Sequence, residues 1–213
     1  MRWLEPDPDS RPRLLLLLTR ALVPAGRDPF SLVERCVAAG LDAVQIREKE
    51  ASAAEHLELV HELRERLSGS GVAIAVNDRA DLALAAGVDA VHLGQDDAPA
   101  ALVRSLAGER RLAIGLSTHD VEQAREAGAN AAVDYLGIGP LFPTATKGYA
   151  RGIGAELAAE MQRVAGKPAY WIGGIDPTRA RELRDAFGFA VSSAILAADD
   201  PAAVVRALRA PRR

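Results

Sequence analysis

The sequence contains a nine-residue phrase twice, with three substitutions between the copies. The first copy, Ala-Ala-Gly-Leu-Asp-Ala-Val-Gln-Ile, occupies residues 38–46, and the second, Ala-Ala-Gly-Val-Asp-Ala-Val-His-Leu, occupies residues 85–93. Each copy predicts a helix that ends at a glycine, a short turn and an apolar run of strand length. A looser version at Glu126-Ala127-Gly128 leads into a strand-like run that starts only at Val133, so its turn must differ. A helix followed directly by a strand is therefore a repeating unit of this chain.

Apolar runs of strand length alternate with helical patterns along the chain. Eight such runs are present: Leu14–Leu18, Ala43–Arg47, Val72–Val76, Ala90–Leu93, Leu112–Leu116, Tyr135–Ile138, Ala169–Gly173 and Phe189–Ser193. The helical patterns cover Pro29–Ala39, Ser52–Leu67, Asp81–Ala86, Ala100–Leu106, Asp120–Ala127, Ala155–Val164, Pro177–Ala186 and Pro201–Leu208. Strict alternation is typical of parallel strands with crossover helices. We therefore predict an α/β fold, a single (β/α)8 TIM barrel. An open doubly wound sheet is the alternative, which is disfavoured because no Gly-x-Gly-x-x-Gly follows the first strand and no second domain remains.

Length and charge restrict the class of protein further. A chain of 213 residues is close to the lower size limit of such barrels, so we expect a loose tail over residues 1–13 and a barrel domain over residues 14–210. The net charge of −3 includes no basic excess, which argues against nucleic acid as a partner. The lone cysteine, Cys36, excludes an internal disulfide, and Leu14–Leu18 is too short for a signal peptide or a membrane helix. We expect a cytoplasmic protein without a membrane partner, and the sequence leaves a homo-oligomer open.

Polar residues at the ends of the second strand are candidates for a site, because functional groups of TIM barrels lie at the C-terminal ends of strands. Side chains alternate along a strand, so Gln45, Arg47 and Lys49 are predicted to point together into the lumen, whereas Val44 and Ile46 face the helices. A solvated charge cluster is the alternative interpretation. An arginine that points inward requires an anionic partner, which favours a binding role.

Two aspartates follow neighbouring strands. Asp78 comes directly after Asn77 at the end of the third strand, and Asp97 follows the fourth strand. Each of these carboxylates is also suited to cap the helix that follows it. Because Mg²⁺ in proteins is commonly held by one or two carboxylates together with substrate phosphates, the pair predicts a magnesium site.

The fourth and fifth strands add polar residues of a different kind. His92 points inward and is interpreted as a hydrogen-bonded histidine of the lumen, while Ser117 shares the inward face of the fifth strand. His119 follows at the start of a helix, where a capping or surface role is commoner than acid–base catalysis.

The loops after the last three strands carry the hydroxyls and glycines that suit anions. Thr144, Thr146 and Lys147 provide donors without competing acceptors, as a polyphosphate requires. The seventh and eighth strands end in Gly173-Gly174 and Ser192-Ser193, at the place where barrels frequently bind a phosphate. The sequence therefore predicts two anion sites, one for a diphosphate with Mg²⁺ and one for a monophosphate.

Five motifs, in this order and at strand ends, resemble those of thiamine phosphate synthases: Gln45-Ile46-Arg47-Glu48-Lys49, Asn77-Asp78-Arg79, Gly94-Gln95-Asp96-Asp97, Gly139-Pro140-Leu141-Phe142-Pro143-Thr144-Ala145-Thr146-Lys147 and Gly173-Gly174-Ile175. The resemblance extends from Leu14 to about Pro201. It implies a (β/α)8 transferase of thiamine biosynthesis. Members of this family join hydroxymethylpyrimidine diphosphate to thiazole phosphate, release pyrophosphate and require Mg²⁺.

The resemblance also implies a role for each matching residue. Mg²⁺ would be bound by Asp78 and Asp97. The pyrimidine diphosphate would be contacted by Gln45, Arg47, Lys49, Asn77, Ser117 and Lys147, of which Arg47, Lys49, Ser117 and Lys147 are the expected catalytic side chains. The thiazole phosphate would be held by Thr144, Thr146, Gly174, Ser192 and Ser193. The family mechanism ionises the pyrimidine carbon–oxygen bond before the thiazole nitrogen attacks, so that charge stabilisation replaces a nucleophile or base.

The chain departs from the family pattern in four ways. Arg20 follows Thr19 where the family usually has Thr-Asp, a leucine of the first strand replaces an aromatic residue, Trp171 replaces a small residue, and Ser192 replaces a branched apolar one. We expect the two departures in the first strand to affect contacts with the pyrimidine ring and the other two to change the fit around the thiazole phosphate.

Two other functions remain open at this point. A related thiazole tautomerase is an isomerase that uses a histidine near the position of His119 and needs no Mg²⁺. The third hypothesis is a non-catalytic barrel that binds thiamine-pathway phosphates. Asp97 and the Thr144, Thr146 and Lys147 group argue against the tautomerase, because it has no diphosphate to bind.

Overall fold

Eight parallel strands close into a barrel in which each strand neighbours the next along the chain and β1 pairs with β8. The structure is a computed structural model that describes residues 2–5, 7, 10–143 and 151–210. The strands are β1 (Leu14–Leu18), β2 (Ala43–Ile46), β3 (Ala73–Asn77), β4 (Ala90–Leu93), β5 (Ala113–Thr118), β6 (Tyr135–Ile138), β7 (Ala169–Ile172) and β8 (Gly188–Val191). The predicted TIM barrel is confirmed.

Helices pack around the outside of the barrel. They are α1 (Pro29–Ala38), α2 (Ala53–Arg66), α3 (Ala80–Ala86), α4 (Ala100–Ala107), α5 (Val121–Ala129), α6 (Ala155–Ala165), α7 (Pro177–Ala180), α8 (Ser193–Leu196) and α9 (Pro201–Arg209), and short 3-10 helices cover Arg2–Leu4 and Arg20–Leu22. Within the described part of the chain, no helix is both long and apolar enough to cross a bilayer.

Two predicted boundaries near the C-terminus are wrong. The helix predicted over Pro177–Ala186 ends at Ala180, because the next N–H groups bond three residues back, as in Glu182 to Arg179, and tighten the chain into turns. The eighth strand ends at Val191, and Ser193 begins the short helix α8. Barrels frequently carry such a short extra helix beside a phosphate site.

Alternation along the strands produces two apolar layers. Val44 and Ile46 belong to the layer between strands and helices, as predicted, and so do Ile74 and Val76 of the next strand. The lumen is filled by a second cluster that consists mostly of alanines: Leu15, Leu17, Ala43, Ala73, Ala75, Ala90, Ala113, Tyr135, Tyr170 and Ala190. Because alanine occupies so many inward positions, the barrel has room for two tyrosine rings and for a third ring from outside the sheet.

That third ring belongs to Trp3. Trp3 is only 3% exposed, and its ring stacks on Tyr135 with 5.7 Å between the centroids. The Tyr170 hydroxyl donates a hydrogen bond to the Pro12 carbonyl at 2.7 Å, and the Arg13 guanidinium lies 4.1 Å from the centre of the Phe187 ring. The expectation of a loose tail is wrong for these residues, because burial of a large aromatic side chain holds the segment against the floor of the barrel.

Gly128 explains why the third version of the repeat differs. The helix α5 continues to Ala129, so this glycine lies inside the helix rather than at its end. A Cβ atom at Gly128 would lie 2.5 Å from the Ala165 carbonyl oxygen of α6. The residue therefore permits close packing of two helices instead of terminating one.

The aspartate of the repeated phrase joins neighbouring strands at the bottom of the barrel, a role that sequence analysis missed. Three equivalent carboxylates accept a backbone hydrogen bond from the start of the preceding strand: Asp42 from Leu14 at 2.9 Å, Asp89 from Ile74 at 2.8 Å and Asp134 from Ile114 at 2.7 Å. Each aspartate immediately precedes an even-numbered strand and binds the odd-numbered strand before it. The aspartate of the repeat thus joins the strands in pairs, β1 with β2, β3 with β4 and β5 with β6.

Replacing Asp42 tests this arrangement. Its carboxylate also accepts from the Arg13 N–H at 2.9 Å and from the Arg209 guanidinium, and it is 4% exposed. We expect Asp42→Ala to lower the free energy of unfolding by about 2 kcal/mol, because buried donors lose their acceptor. Asp42→Asn should cost less, since an amide oxygen still accepts. Urea denaturation measures both, with the fully exposed Asp199→Ala as the control. Equal stability of Asp42→Ala and this control would contradict the role.

Candidate active site

A cavity of about 750 Å³ opens at the C-terminal ends of the strands and extends down into the lumen. Ten of the thirteen predicted site residues line it: Gln45, Arg47, Lys49, Asn77, Asp78, Asp97, Ser117, Gly174, Ser192 and Ser193. The other three, Thr144, Thr146 and Lys147, lie outside the described residues. Residues from distant parts of the sequence therefore share one cavity, because parallel strands all end at the same rim.

The end of β2 presents the cationic side of the cavity. Gln45 is 2% exposed, and Arg47 and Lys49 follow it on the same face, as predicted. The backbone there is held from β1, since the Arg47 N–H bonds to the Leu18 carbonyl at 2.8 Å and the Thr19 hydroxyl donates to the Arg47 carbonyl at 3.0 Å. Among the described residues, no carboxylate forms an ion pair within 4 Å with either cation. Both cations are thus available to a bound anion.

Arg20 lies at the same rim, but it is directed at a neighbouring side chain. Its backbone N–H donates to the Glu48 carboxylate at 2.6 Å, and its Nε lies 3.3 Å from the same oxygen. Arg20 does not belong to the residues that line the cavity. This departure from the family pattern therefore joins the ends of β1 and β2 through a partly exposed ion pair.

Capping is the wrong interpretation of both aspartates. The helix α3 begins after Arg79 and α4 after Pro99, and neither helix has a side-chain cap. Asp78 adopts a left-handed backbone with φ of 63°, and its N–H donates to the His92 carbonyl at 2.8 Å. The Asp97 carboxylate accepts instead from the Gly94 N–H at 2.6 Å. A non-glycine residue with positive φ is uncommon and is concentrated at functional sites.

The two carboxylates face one another. The pKa of Asp78 is raised, first by burial and then by the charge of Asp97 and a hydrogen bond with it, while Lys49 and Arg47 act in the opposite direction. Two carboxylates this close repel unless they share a proton or a cation. Within the described residues, no group of three or more His, Cys, Asp or Glu side chains could hold a metal ion. Two adjacent carboxylates could hold a cation such as Mg²⁺, which takes one or two carboxylates and completes its shell with water and phosphate oxygens.

Ser117 is held by the lumen histidine. The His92 Nε2 and Ser117 Oγ atoms are 2.9 Å apart, and the His92 ring lies 5.6 Å from the Tyr135 ring. The Gln95 amide donates a further hydrogen bond to the Ser117 carbonyl. The interpretation of His92 as a hydrogen-bonded lumen residue is confirmed, and its bond fixes where the serine hydroxyl lies.

His119 also lines the cavity, although it does not cap the following helix. That cap is Asp120, which accepts from the Gln123 N–H at 2.8 Å. The His119 Nδ1 lies 2.7 Å from the Gly139 carbonyl oxygen, which can only accept, so Nδ1 carries a proton. The contact holds the imidazole against the end of β6.

The ends of β6 and β7 approach each other closely because of two glycines. Gly173 and Gly174 have φ of 97° and 66°. A Cβ atom at Gly173 would lie 2.5 Å from the Pro140 Cβ, and one at Gly174 would lie 2.9 Å from the Phe142 Cβ. The Ser192 hydroxyl at the end of β8 donates to the Leu17 carbonyl at 2.9 Å. Small residues therefore form the side of the cavity next to β7 and β8.

The effect expected from Trp171 on the thiazole phosphate is wrong. Its side chain is 1% exposed, lies in the layer between the strands and the helices, and donates from Nε1 to the Gln162 amide oxygen at 3.2 Å. Alternation along β7 directs Tyr170 and Ile172 inward instead.

Sequence analysis missed three charged residues of the cavity: Asp96, which follows β4, and Asp176 and Arg179, which follow β7. Asp176 caps α7, and Arg179 lies in the first turn of that helix. A cation five residues after Gly174 was a usable signal, because the loop after the seventh strand is a common phosphate site in barrels.

A TIM barrel with two free cations, facing carboxylates and glycine-rich loops at one rim defines an enzyme that acts on small phosphorylated molecules. The model of the thiamine monophosphate synthase family matches residues 15–195. The thiamine-phosphate synthase of Chloroflexus aurantiacus is 41% identical over 199 residues, covering 92% of this chain and 91% of that protein. The Syntrophomonas wolfei enzyme is 40% identical over 199 residues, with coverages of 92% and 94%. The structure of thiamine phosphate pyrophosphorylase from Pyrococcus furiosus aligns with a TM-score of 0.81 at 33% identity, covering 92% and 93% of the two chains. The chain belongs to the thiamine monophosphate synthase family, and it is a transferase.

Proposed function

We propose that this protein joins hydroxymethylpyrimidine diphosphate to thiazole phosphate and releases thiamine phosphate and pyrophosphate. The observation that carries the proposal is the pairing of Asp78 with Asp97 beside the two cations of β2. Paired carboxylates can hold a metal ion, and the neighbouring cations can bind phosphate oxygens. This combination suits a diphosphate with its metal ion better than a substrate without a diphosphate.

The diphosphate would occupy the side of the cavity next to β2, β3 and β4. Asp78 and Asp97 would hold Mg²⁺, which when bound neutralises negative charge on phosphate oxygens. Arg47 and Lys49 donate charged hydrogen bonds to the same group, and Asn77 adds a neutral donor from the end of β3. Asn77 ends β3, Arg47 and Asp78 directly follow β2 and β3, and Lys49 and Asp97 lie in the loops after β2 and β4. These groups therefore line the same part of the cavity, where they can stabilise charge on the diphosphate.

The reaction breaks the bond between the pyrimidine methylene carbon and the diphosphate oxygen, and the electron pair leaves with the diphosphate. The lone pair of the thiazole nitrogen then forms the new carbon–nitrogen bond, which places the positive charge on the thiazolium ring. No proton has to be moved in either step. The protein therefore acts by stabilising the leaving anion and by positioning the two rings.

The floor of the cavity keeps water from the electron-deficient carbon. Leu15, Leu17, Tyr135 and Tyr170 reach the cavity from below, and all four are buried. Burial raises the pKa of Tyr135 well above its usual value and that of Tyr170 above the range of ordinary phenols. Both phenols stay neutral, so the floor offers no anionic nucleophile that competes with the thiazole nitrogen.

The thiazole phosphate would lie against the loops after β7 and β8. Gly174, Ser192 and Ser193 line that side of the cavity, and the backbone N–H groups of such small residues suit an anion. The assignments of Thr144 and Thr146 to this phosphate and of Lys147 to the diphosphate rest on the family resemblance. The cytoplasmic location and the oligomeric state stay predictions.

Incubation of the protein with both substrates and Mg²⁺ tests the proposal. We expect thiamine phosphate, detected by mass spectrometry, and an equal amount of pyrophosphate, measured with a coupled phosphate assay. Chelation with EDTA should stop the release, and added Mg²⁺ should restore it. A tautomerase would release no pyrophosphate, and a non-catalytic binder would form neither product. Release that continued at the same rate after chelation would contradict the role of the two aspartates.

A further inference from the structure

Arg179 is a cation of the cavity for which the family resemblance supplies no role. It lies in the first turn of α7, and its guanidinium is 4.6 Å from the centre of the Phe142 ring. Its Nη1 donates to the carbonyl of Gly174, the glycine proposed to approach the thiazole phosphate. The side chain thus connects the loop after β7 with the loop after β6, at the rim of the cavity.

The contacts of Arg179 leave part of its guanidinium available. Gly174 engages Nη1, and Asp176 lies 3.7 Å from Nε. In the described part of the chain, no acceptor is within hydrogen-bond distance of Nη2. The Phe142 ring fixes the plane of the group through a cation–π contact, which reduces the entropy lost when an anion binds.

Asp176 positions this arginine, and its own charge competes only weakly. One oxygen of its carboxylate accepts from the N–H groups of Thr178 at 2.8 Å and Arg179 at 2.9 Å, so it is committed to capping the helix. The side chains of Asp176 and Arg179 are 42% and 45% exposed, and ion pairs at such exposure contribute little. A phosphate dianion is a stronger partner for the guanidinium than this distant carboxylate.

Charge is distributed unequally across the cavity. The cations Arg47 and Lys49 lie beside the paired aspartates. Among the described residues, Arg179 is the only Lys or Arg side chain that lines the side of the cavity formed by glycines and serines. A monophosphate bound at that side gains from a cation, because a charge removed from water is stabilised more strongly by an opposite charge than by neutral donors alone.

We propose that Arg179 binds the phosphate of the thiazole substrate and makes this site select the phosphorylated thiazole over the corresponding free alcohol. This inference rests on the proposed function and assigns a specificity-determining residue to one of its two subsites. The residue stabilises the monophosphate and makes no contact with the diphosphate.

Substitution of Arg179 by glutamine tests whether this residue selects the phosphorylated substrate or only supports the loops after β6 and β7. We expect Arg179→Gln to raise the KM for thiazole phosphate by about 10- to 100-fold, the range for loss of one charged hydrogen bond. The KM for the pyrimidine diphosphate should stay within about twofold, because its cations are untouched. The preference in kcat/KM for thiazole phosphate over the thiazole alcohol should fall by the same 10- to 100-fold factor. Arg179→Lys should recover part of it.

Arg181→Gln is the matched control, since it removes an exposed arginine two residues away that does not line the cavity. If Arg179 only braces the loops after β6 and β7, the variant loses activity equally with the phosphate and the alcohol, and its preference is unchanged. That result would overturn the inference while leaving the proposed function intact.

Equilibrium binding distinguishes failure of the inference from failure of the proposed function. Isothermal titration of the unmodified protein and of Arg179→Gln with thiazole phosphate and with the thiazole alcohol requires no turnover. The inference holds if the substitution weakens binding of the phosphate selectively, and it fails if both ligands bind the two proteins alike. Absence of pyrophosphate release from the unmodified protein would instead reject the proposed function.

Discussion

Asp97→Asn is expected to lower kcat/KM for pyrophosphate release by about 10²- to 10³-fold, the effect of removing one charge-stabilising group from a preorganised site. The substitution preserves shape, because the amide oxygen can still accept from the Gly94 N–H that now bonds to the carboxylate at 2.6 Å. It removes the charge that, together with Asp78, would bind Mg²⁺. Steady-state kinetics over a range of Mg²⁺ concentrations measures the loss, and a higher metal concentration should recover part of it.

Thermal unfolding provides a second readout for the same variant. Mg²⁺ with pyrophosphate should raise the Tm of the unmodified protein and leave that of Asp97→Asn nearly unchanged. Without metal the variant should be at least as stable as the unmodified protein, because the repulsion between the two carboxylates is gone. Asp199→Asn, at a fully exposed position, is the control. A variant that kept normal turnover and the normal Tm shift would refute the proposed metal site.

Gly115→Ala is expected to destabilise the protein by about 3 kcal/mol, near the upper end for overpacked cores. A Cβ atom at Gly115 would lie 2.2 Å from Cζ of Tyr135 and 2.6 Å from Nδ1 of His92. The tyrosine ring cannot move away easily, since Trp3 stacks on it at 5.7 Å and Tyr170 packs edge-on at 5.4 Å. For a chain of this length the Tm should fall by about 6 to 12 °C, which differential scanning calorimetry measures.

Removal of the tyrosine ring provides the control for this clash. Tyr135→Ala leaves a cavity and is destabilising by itself. In that background, Gly115→Ala should cost less than half of what it costs in the unmodified protein, because its nearest steric partner is absent. Equal costs in both backgrounds would show that the Gly115 position is not limited by Tyr135.

The barrel could be predicted from local patterns, but the burial of Trp3 at the bottom of the lumen could not. The repeated phrase and the alternation of Gln45, Arg47 and Lys49 with Val44 and Ile46 are signals within one strand. Trp3 has no such signal, because a single tryptophan in a short segment has no period. It is buried because alanines on five different strands leave space in the lumen, and that space exists only after the sheet has closed.

Prediction of the candidate site was uneven for a related reason. The rule that parallel strands end at one rim was sufficient to bring Arg47, Asp78, Asp97 and Ser117 together. It did not decide whether the two aspartates cap helices or face each other, because both arrangements satisfy a carboxylate at a strand end. It also missed Arg179, whose significance comes from the Gly174 carbonyl and the Phe142 ring next to it in space.

The amino-acid sequence by itself determined the strand order, the inward and outward faces and the set of polar residues at the rim, since these depend on periodicities of two and 3.6 residues and on chain order. Only the tertiary structure decided which groups touch: the facing carboxylates, the ring of Trp3 under the lumen, and the outward direction of Trp171. Contacts between residues far apart in the chain depend on the distances and free space left when all eight strands are in place, and no local pattern specifies those quantities.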